Sequence, residues 1–344
     1  MNEYSLSQLA QRLDKMSGLR VLVVGDVLLD EYRVGDVERV SPEAPVPIVR
    51  VREERFELGG AGNVARSIVS LGAACDLVGI VGADAEGAAV RARAADVGVN
   101  ATGLVEATDR PTSLKVRIVA RGQQMLRIDR EEDRALSSEV AETLRAAVLA
   151  RLEDCDAVVL ADYDKGVFAE GDGPALGRWV IEAARSRGCF VAVDPKRELS
   201  RFRGASLIKP NLEEALGFLP GSAADFVSRQ GLLEKIQRAL AGGEVVVTRG
   251  ADGMSALDAE GAAFDVPTRA LEVFDVQGAG DTSIAALTLC RAAGATLLEA
   301  CIVANAAAAV AVEKVGTAGV TRKELLERFR DSPFLTPGSD EERM

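Results

Sequence analysis

Residues 273–283 read VFDVQGAGDTS, and the apolar run IAALTLC follows them directly. The β-branched beginning, the small residues Gly278, Ala279 and Gly280, and the apolar continuation predict a strand, a tight turn and then a helix. Because these small residues leave the backbone uncovered, its N–H groups can approach an anion closely, and the positive end of the helix dipole adds to the attraction. The stretch therefore predicts an anion site at the beginning of a helix.

Asp281 lies in the first turn of this predicted helix. A carboxylate beside an anion site repels the anion, so anion binding alone does not explain the residue. Two interpretations stay open. Asp281 is a general base that takes a proton from an attacking hydroxyl, or it caps the N-terminus of its own helix.

Short apolar runs rich in β-branched residues recur along the chain and alternate with Ala-rich helical stretches. This alternation predicts an α/β fold in which helices cover both faces of a mostly parallel sheet. The predicted strands are 19–24, 77–81, 157–160, 190–193, 206–208 and 245–248, and the predicted helices are 61–71, 86–96, 137–151, 176–187, 211–217 and 232–241.

Two segments depart from the alternation. Residues 30–58 are charged and punctuated by prolines, and residues 112–129 alternate between apolar and polar side chains, which is typical of a half-exposed sheet. We expect a small β-sheet lid formed by about 31–58 and 112–129 within a single domain that spans 1–344. Residues 335–344 read as a disordered tail.

The composition excludes several function classes. The chain has 344 residues and a formal net charge of −12, which disfavours general binding to nucleic acid or anionic membranes. It contains no histidine, which excludes Ser-His-Asp and Cys-His hydrolases, His-ligated zinc sites and HxGH nucleotidyltransferase sites. The N-terminus lacks a signal peptide, and the nearly uncharged stretch 300–312 is too short for a membrane span. We expect a cytoplasmic protein without a nucleic-acid or membrane partner.

A second glycine loop, LGGAGNVA, occupies residues 58–65. Its Gly60-x-Gly62-x-x-Ala65 spacing matches a dinucleotide-binding fingerprint and leaves a nicotinamide-dependent dehydrogenase open, although the preceding VREERFEL is charged for a central parallel strand. In the alternative interpretation, a Gly-Gly turn lets a small polyol reach the backbone, and Asn63 both donates and accepts hydrogen bonds. No lysine is followed by Ser or Thr, which excludes a P-loop.

The two glycine motifs, in this order and at this separation, resemble those of the ribokinase-type (PfkB) sugar kinase family. The NLEE sequence at 211–214 resembles the NxxE motif of the family, the TRG sequence at 248–250 resembles its nucleotide-side TxG motif, and Asn305 resembles a residue of its adenine-pocket helix. The resemblance covers about residues 19–320. It implies a ribokinase-like three-layer α/β/α sandwich with a mostly parallel central sheet and a small β-sheet lid.

Four further segments resemble the heptose 7-phosphate kinase branch of this family. They are VSPEAPVPIV at 40–49, RGQQMLRID at 121–129, ADYDKG at 161–166 and VDPK at 193–196. The resemblance implies ATP-dependent phosphorylation of the anomeric C1 hydroxyl of D-glycero-D-manno-heptose 7-phosphate, which supplies ADP-heptose for lipopolysaccharide. Because the chain lacks histidine and ends near residue 344, we expect a stand-alone kinase without the adenylyltransferase domain to which some relatives are fused.

The resemblance also implies roles for individual residues. Asp281 would be the catalytic base, and the anion hole would be formed by Gly278, Ala279 and Gly280. Sugar hydroxyls would be held by Asp30, Gly59, Gly60 and Asn63. Mg²⁺ would be organised through water by Glu214 and Asn211, and the ATP site would be lined by these two residues with Thr248, Gly250 and Asn305.

The family motifs do not identify the cations that hold the substrate's 7-phosphate. On charge grounds the candidates are Lys165, Lys196, Arg121 and Arg127, and the alternative for each is a solvated or structural charge. Asp162 and Asp164 either contact the substrate or cap a turn. Gln124 is a further substrate candidate.

One residue departs from the family pattern. Gln277 stands where the family usually has Thr or Ser, which puts in doubt a monovalent cation or phosphate contact at that position. The free edges of the predicted lid favour a homodimer. A non-catalytic sugar-binding regulator on the same fold stays an alternative, against which the presence of Asp281 argues.

Overall fold

The computed structural model describes residues 6–171, 175–218, 228–268, 277–314 and 319–330. Its strands are β1 (Arg20–Gly25), β2 (Val27–Val40), β3 (Pro47–Gly60), β4 (Ala74–Gly82), β5 (Asn100–Ala107), β6 (Ser113–Ala120), β7 (Gln123–Arg130), β8 (Ala157–Ala161), β9 (Phe190–Asp194), β10 (Leu207–Ile208), β11 (Glu244–Thr248), β12 (Met254–Leu257) and β13 (Ala263–Val266). Its helices are α1 (Leu6–Met16), α2 (Ala61–Ser70), α3 (Ala85–Asp96), α4 (Ser138–Leu152), α5 (Leu176–Arg185), α6 (Leu212–Gly217), α7 (Arg229–Leu240), α8 (Ala279–Ala292), α9 (Leu297–Val312) and α10 (Arg322–Arg330).

A nine-stranded sheet forms the centre of the molecule, in the order β13-β12-β11-β10-β9-β8-β1-β4-β5. The strands from β11 to β5 pair in parallel, and β12 and β13 join antiparallel at one edge. One apolar cluster packs α1, α2, α3, α8, α9 and α10 on one face, and a second packs α4, α5 and α7 on the other. This three-layer α/β/α arrangement confirms the predicted fold class.

The strands and helices predicted from the alternating pattern are all present, with ends within three residues of the expected positions. The prediction succeeded because strands that are buried on both faces need continuous apolar runs, such as RVLVVG in β1. Three strands were not predicted: β5, β12 and β13. β12 and β13 have four residues each, and β13 is largely exposed, so neither carries a long apolar run. β5 is longer, but polar residues interrupt its apolar ones.

A separate four-stranded sheet has the order β3-β2-β6-β7. β2 pairs antiparallel with β3 and parallel with β6, and β7 pairs antiparallel with β6. The inner half of β2, residues 27–32, is buried, whereas its last three residues and the whole of β7 are exposed. The segments expected to form the lid lie in this sheet, whose strands extend further, to Val27, Gly60 and Arg130.

Side chains gather where the parallel strands of the central sheet end. Asp26 follows β1, Asp162 follows β8, Asp194 closes β9 and Lys209 follows β10. The carboxyl ends of parallel strands meet at one edge of a sheet, which is where ligands bind in open α/β folds. The predicted strand at 273–276 and the predicted tail at 335–344 lie outside the described residues. Among the described helices, none is both long and apolar enough to cross a membrane.

Candidate active site

Asp281 is the third residue of α8, and its partners belong to other parts of the fold. One carboxylate oxygen, Oδ1, accepts a hydrogen bond from the hydroxyl of Tyr163, and the other, Oδ2, accepts one from Nδ2 of Asn63. Tyr163 lies in the loop after β8, and Asn63 is the third residue of α2. Contacts to two distant side chains favour the interpretation of Asp281 as a base over that of a helix cap.

The surroundings of Asp281 tune its basicity. Burial raises the pKa of Asp281 above its ordinary value, while the hydrogen bonds from Tyr163 and Asn63 and the charge of Lys209 oppose that rise. A carboxylate whose pKa is moved toward the working pH accepts a proton more effectively.

The turn before α8 is built from small residues. Gly278 has a φ of 77°, in the left-handed region that favours glycine, and it precedes the helix without a side-chain cap. Among the described residues outside its own helix, a Cβ placed on Gly280 would have one neighbour within 4 Å, the Nζ atom of Lys209 at 3.7 Å. Uncovered backbone at a helix N-terminus with a lysine in front of it suits a phosphoryl group.

Lys209 was not singled out from the sequence. It is buried directly after β10, and its Nζ atom lies 3.0 Å from Oδ1 of Asp194. Burial raises the pKa of Asp194 to about 7, against the opposing effect of Lys209. The available signal was a lysine directly after an apolar strand run, at the same sheet edge as Asp281.

The glycine loop at residues 58–65 is packed closely against β2. A Cβ on Gly59 would lie 2.7 Å from Oδ2 of Asp30, and one on Gly60, whose φ is 56°, would lie 2.4 Å from the carbonyl oxygen of Asp26. These glycines therefore let β3 approach β2 and bring Asp30 and Asn63 to the site. The dehydrogenase interpretation is wrong at this loop, because β3 pairs antiparallel in the four-stranded sheet rather than as a central parallel strand.

Asp30 and Asn63 are each held by a buried arginine that was not predicted. Nη1 of Arg117 on β6 lies 2.5 Å from Oδ1 of Asp30. Nη2 of Arg66, one helical turn after Asn63, donates to Oδ1 of Asn63 at 2.5 Å. These bonds orient both predicted sugar-binding side chains.

The residues predicted on the nucleotide side lie on neighbouring elements. Asn211 caps α6 in a reciprocal capping box with Glu214, and its backbone bridges to Thr248 at the end of β11. Gly250, with a φ of 57°, begins the 3₁₀ turn Gly250–Asp252. Asn305 on α9 donates to the carbonyl oxygen of Pro267 at 2.8 Å, so it fixes the chain after β13.

Oxygen donors for Mg²⁺ are present but sparse. Oε2 of Glu214 accepts the Asn211 N–H, and Oε1 lies 2.7 Å from Nζ of Lys196. No cluster of three or more carboxylate or cysteine side chains that could hold a metal occurs in the described part of the chain. Mg²⁺ commonly uses one carboxylate together with water and substrate phosphates, so Glu214 fits that type of site.

The structure separates the four predicted 7-phosphate cations. Lys196 lies with Glu214 on the predicted nucleotide side. Lys165 pairs with Glu131 at 2.7 Å and Arg127 with Asp129 at 2.9 Å, both beside the four-stranded sheet. Arg121, at the β6–β7 turn, donates to the carbonyl oxygen of Val37 near the outer end of β2.

The other substrate candidates have local roles. Asp162 is buried and accepts the backbone N–H groups of Asp164 and Lys196 at 2.9 and 3.2 Å, which is the turn-capping alternative. Asp164 has a φ of 59° and pairs with Arg197 at 2.6 Å. Gln124 lies on the exposed strand β7.

Comparisons with known proteins agree with this architecture. The family model described as pfkB family carbohydrate kinase matches residues 19–324. The bifunctional protein HldE of Gluconacetobacter diazotrophicus is 44% identical over 314 residues, which cover 90% of this chain and 63% of that protein. The chain thus spans less than two thirds of the length of this curated relative.

Two solved structures share the fold at low sequence identity. Phosphofructokinase-2 from Escherichia coli in complex with potassium has a TM-score of 0.73 at 23% identity, over 91% of this chain and 98% of that one. Arabidopsis thaliana ribokinase complexed with ribose and ATP has a TM-score of 0.70 at 20% identity, over 92% and 100%. The ribokinase-like fold expected from the glycine motifs is confirmed, and the chain belongs to the pfkB family of carbohydrate kinases.

Proposed function

We propose that this carbohydrate kinase transfers the γ-phosphoryl group of ATP to the anomeric C1 hydroxyl of D-glycero-D-manno-heptose 7-phosphate. The product, the 1,7-bisphosphate, would serve ADP-heptose and lipopolysaccharide synthesis. Family membership supports the reaction class, and the four segments that resemble the heptose 7-phosphate kinase branch support the substrate. The observation that carries the mechanism is the position of Asp281 in the first turn of the helix that follows the glycines, with Nζ of Lys209 in front of Gly280.

Asp281 acts as the base in this mechanism. It removes the proton of the anomeric hydroxyl as that oxygen attacks the γ-phosphorus in line. The N–H groups at the start of α8 and the ammonium group of Lys209 stabilise the negative charge on the transferred group. Mg²⁺, when bound, neutralises phosphate charge, and Glu214 with Asn211 would hold it through water.

The sugar lies between Asp281 and the four-stranded sheet, which acts as a lid that excludes competing water. Asp30, oriented by Arg117, and Asn63, oriented by Arg66, hold sugar hydroxyls. Lys165 is the best placed of the predicted 7-phosphate cations, because it is the only one of the four in the loop that also carries Tyr163. The phosphate would replace Glu131 as its partner.

The kinase assay also tests whether the reaction requires potassium. Oε1 of Gln277 accepts the Tyr32 hydroxyl at 2.8 Å, so the residue that replaces the usual Thr or Ser is engaged with the four-stranded sheet. We expect the rate in choline chloride to equal that in potassium chloride. A rate that needs potassium would place a cation contact at this turn in spite of Gln277.

The proposal includes a cytoplasmic homodimer. The five cysteines are free thiols, as is usual in a reducing compartment. The outer part of the four-stranded sheet exposes apolar side chains, including Val40 at 64%, Leu126 at 56% and Ile128 at 51%. Such a surface favours burial against a second copy. Light scattering at micromolar protein should give the dimer mass, and Ile128→Lys should give the monomer; a wild-type monomer would contradict this part.

The central test is ADP release with heptose 7-phosphate, fructose 6-phosphate and ribose as acceptors. We expect turnover with the heptose phosphate and a product phosphorylated at C1 by ³¹P NMR, with Asp281→Asn as the inactive control. Preference for another acceptor would make the chain a different pfkB-type sugar kinase. Binding of sugar and ATP without ADP release would favour the non-catalytic regulator.

A further inference from the structure

We propose that Tyr163 is a positioning residue for the base, which holds the Asp281 carboxylate in place, and that Asp26 acts through Tyr163 by fixing its loop. This inference rests on the proposed function, because it concerns the carboxylate that we assign as the base.

Tyr163 and Asn63 each donate a hydrogen bond to the carboxylate of Asp281. The Tyr163 hydroxyl donates to Oδ1 and the Asn63 amide donates to Oδ2, so the two bonds fix the plane of the carboxylate. Each carboxylate oxygen has a further lone pair with which it can accept the substrate's hydroxyl. The bonds therefore orient the base without blocking it.

Asp26 holds the loop that carries Tyr163. It is buried between β1 and β2, and its Oδ2 atom accepts the N–H groups of Tyr163 and Lys165 at 2.8 and 3.1 Å. Its Oδ1 atom accepts the N–H of Val167 at 3.1 Å. One carboxylate thus binds three N–H groups of a single loop.

The backbone of Asp26 also supports the second donor. Its carbonyl oxygen accepts the N–H of Ala61, the first residue of α2, at 2.9 Å. Since Asn63 lies two residues further along α2, both donors to Asp281 are attached to elements that Asp26 holds. Only the loop contact depends on the Asp26 side chain, which separates the two effects in a mutant.

Charged groups from several elements face Asp281 and set the background for this contact. Asp30 on β2 and Asp194 at the end of β9 disfavour its ionised form, whereas Lys209 after β10 and Arg66 on α2 favour that form. The Tyr163 hydrogen bond lowers the pKa of Asp281. Burial and the Asp281 charge raise the pKa of Tyr163 well above its ordinary value, so its hydroxyl stays a donor at any assay pH.

The first experiment measures the titration midpoint of the Asp281 carboxyl group directly and needs no substrate. The full chain, labelled with ¹³C at the aspartate carboxyl carbons, is titrated by NMR, and Asp281→Asn assigns the resonance. Tyr163→Phe should raise the midpoint by about 1 to 2 pH units, since a hydrogen bond to a charged group is lost. Tyr32→Phe, which removes a phenol bonded to Gln277, should leave the midpoint unchanged. An unchanged midpoint in Tyr163→Phe overturns the proposal.

The second experiment links the contact to turnover. In Tyr163→Phe the acid limb of kcat/KM should move to higher pH by the same amount, while the plateau at high pH falls by less than about 10-fold. If the role of Tyr163 were purely structural, kcat/KM would fall equally at every pH and the pH of the acid limb would not change. If the wild type phosphorylates no sugar, the proposed function fails, yet the titration still decides the role of Tyr163.

The third experiment tests the role of Asp26. Asp26→Asn should move the Asp281 midpoint upward, and its combination with Tyr163→Phe should shift the midpoint no further than Tyr163→Phe alone. Additive shifts would show that Asp26 does not act through Tyr163. Circular dichroism checks folding, and Asp26→Glu replaces Asp26→Asn if the latter does not fold.

Discussion

Two helices of this molecule begin with nearly the same four residues. α2 begins at Gly60-Ala61-Gly62-Asn63 and α8 at Gly278-Ala279-Gly280-Asp281. In each, the glycine before the helix has a positive φ, no side chain caps the N-terminus, and the third helical residue carries the proposed functional group. These two groups, Asn63 and Asp281, are hydrogen-bonded to each other.

The two helix beginnings differ in what lies in front of them. A Cβ on Gly60 would lie 2.2 Å from Leu28 Cδ1, whereas one on Gly280 would lie 3.7 Å from Lys209 Nζ, its one close neighbour among the described residues outside its helix. The same local sequence thus packs closely at one site, and at the other site we propose that it admits a ligand. The neighbours that the rest of the fold contributes determine which of these two roles the sequence has. Four substitutions test this difference.

The largest effect is expected at Asp281. Asp281→Asn keeps the shape of the side chain but removes the base, so kcat should fall by about 10²- to 10⁴-fold, or about 3–5 kcal/mol. The melting temperature and the Kd for ATP should stay close to those of the wild type. A kcat close to that of the wild type would show that Asp281 is not the base.

Gly60→Ala should mainly affect stability. The added methyl group meets Leu28 and the Asp26 carbonyl oxygen, and the left-handed backbone disfavours a side chain. Together these should lower the free energy of unfolding by about 3–4 kcal/mol in urea denaturation. Gly62→Ala is the control, because its Cβ would lie no closer than 3.2 Å to Leu58 and should cost less. Equal losses would contradict the close packing at Gly60.

The stability of the closely packed site around Gly60 should also depend on pH, through the carboxyl group of Asp26. Burial and the neighbouring Asp162 raise the pKa of Asp26 from 3.8 to about 6 in the folded protein. The folded state therefore binds this proton more tightly than the unfolded chain, and the stability from this group is lost as the pH rises through about 6.

This loss can be isolated by a difference measurement. The free energy of unfolding of the wild type minus that of Asp26→Asn should fall by about 2.4 kcal/mol between pH 4 and pH 7. Subtraction cancels the carboxylates whose pKa is lowered by folding, such as Asp84 and Asp129, which act in the opposite direction. A difference that stays constant or rises with pH would show that Asp26 is not held as described.

The smallest effect is expected for Gly280→Ala. Its φ lies outside the left-handed region, and the added Cβ would come no closer than 3.7 Å to a described residue outside its helix, so the melting temperature should not change. The methyl group would occupy the space between the turn and Lys209, and kcat should fall by about 10-fold, or about 1.4 kcal/mol. A loss of stability similar to that of Gly60→Ala would mean that the two turns are packed alike.

The glycine loops and the order of strands and helices could be predicted because both depend on local sequence. Positive φ values need glycine, and buried parallel strands need apolar runs. The partners of Asp281 could not be predicted in this way. Tyr163 is 118 residues away along the chain, and only the strand order brings the loop after β8 to α8.

Lys196 illustrates the same limit. The sequence makes it a candidate for the substrate phosphate on charge grounds. β9 lies beside β10, however, and the helix after β10 carries Glu214, which places Lys196 on the predicted nucleotide side. A charge alone does not show which neighbour it meets, whereas the pairing of strands does.

The continuity of β2 has a consequence for how the molecule opens. Its inner residues 28–32 are buried and paired on both edges, whereas the outer residues 36–40 have no pairing with β6. Deuterium should therefore replace the amide protons of the outer residues long before those near Asp30. Exchange along this single strand thus measures, residue by residue, how far local unfolding advances from solvent toward the proposed sugar site.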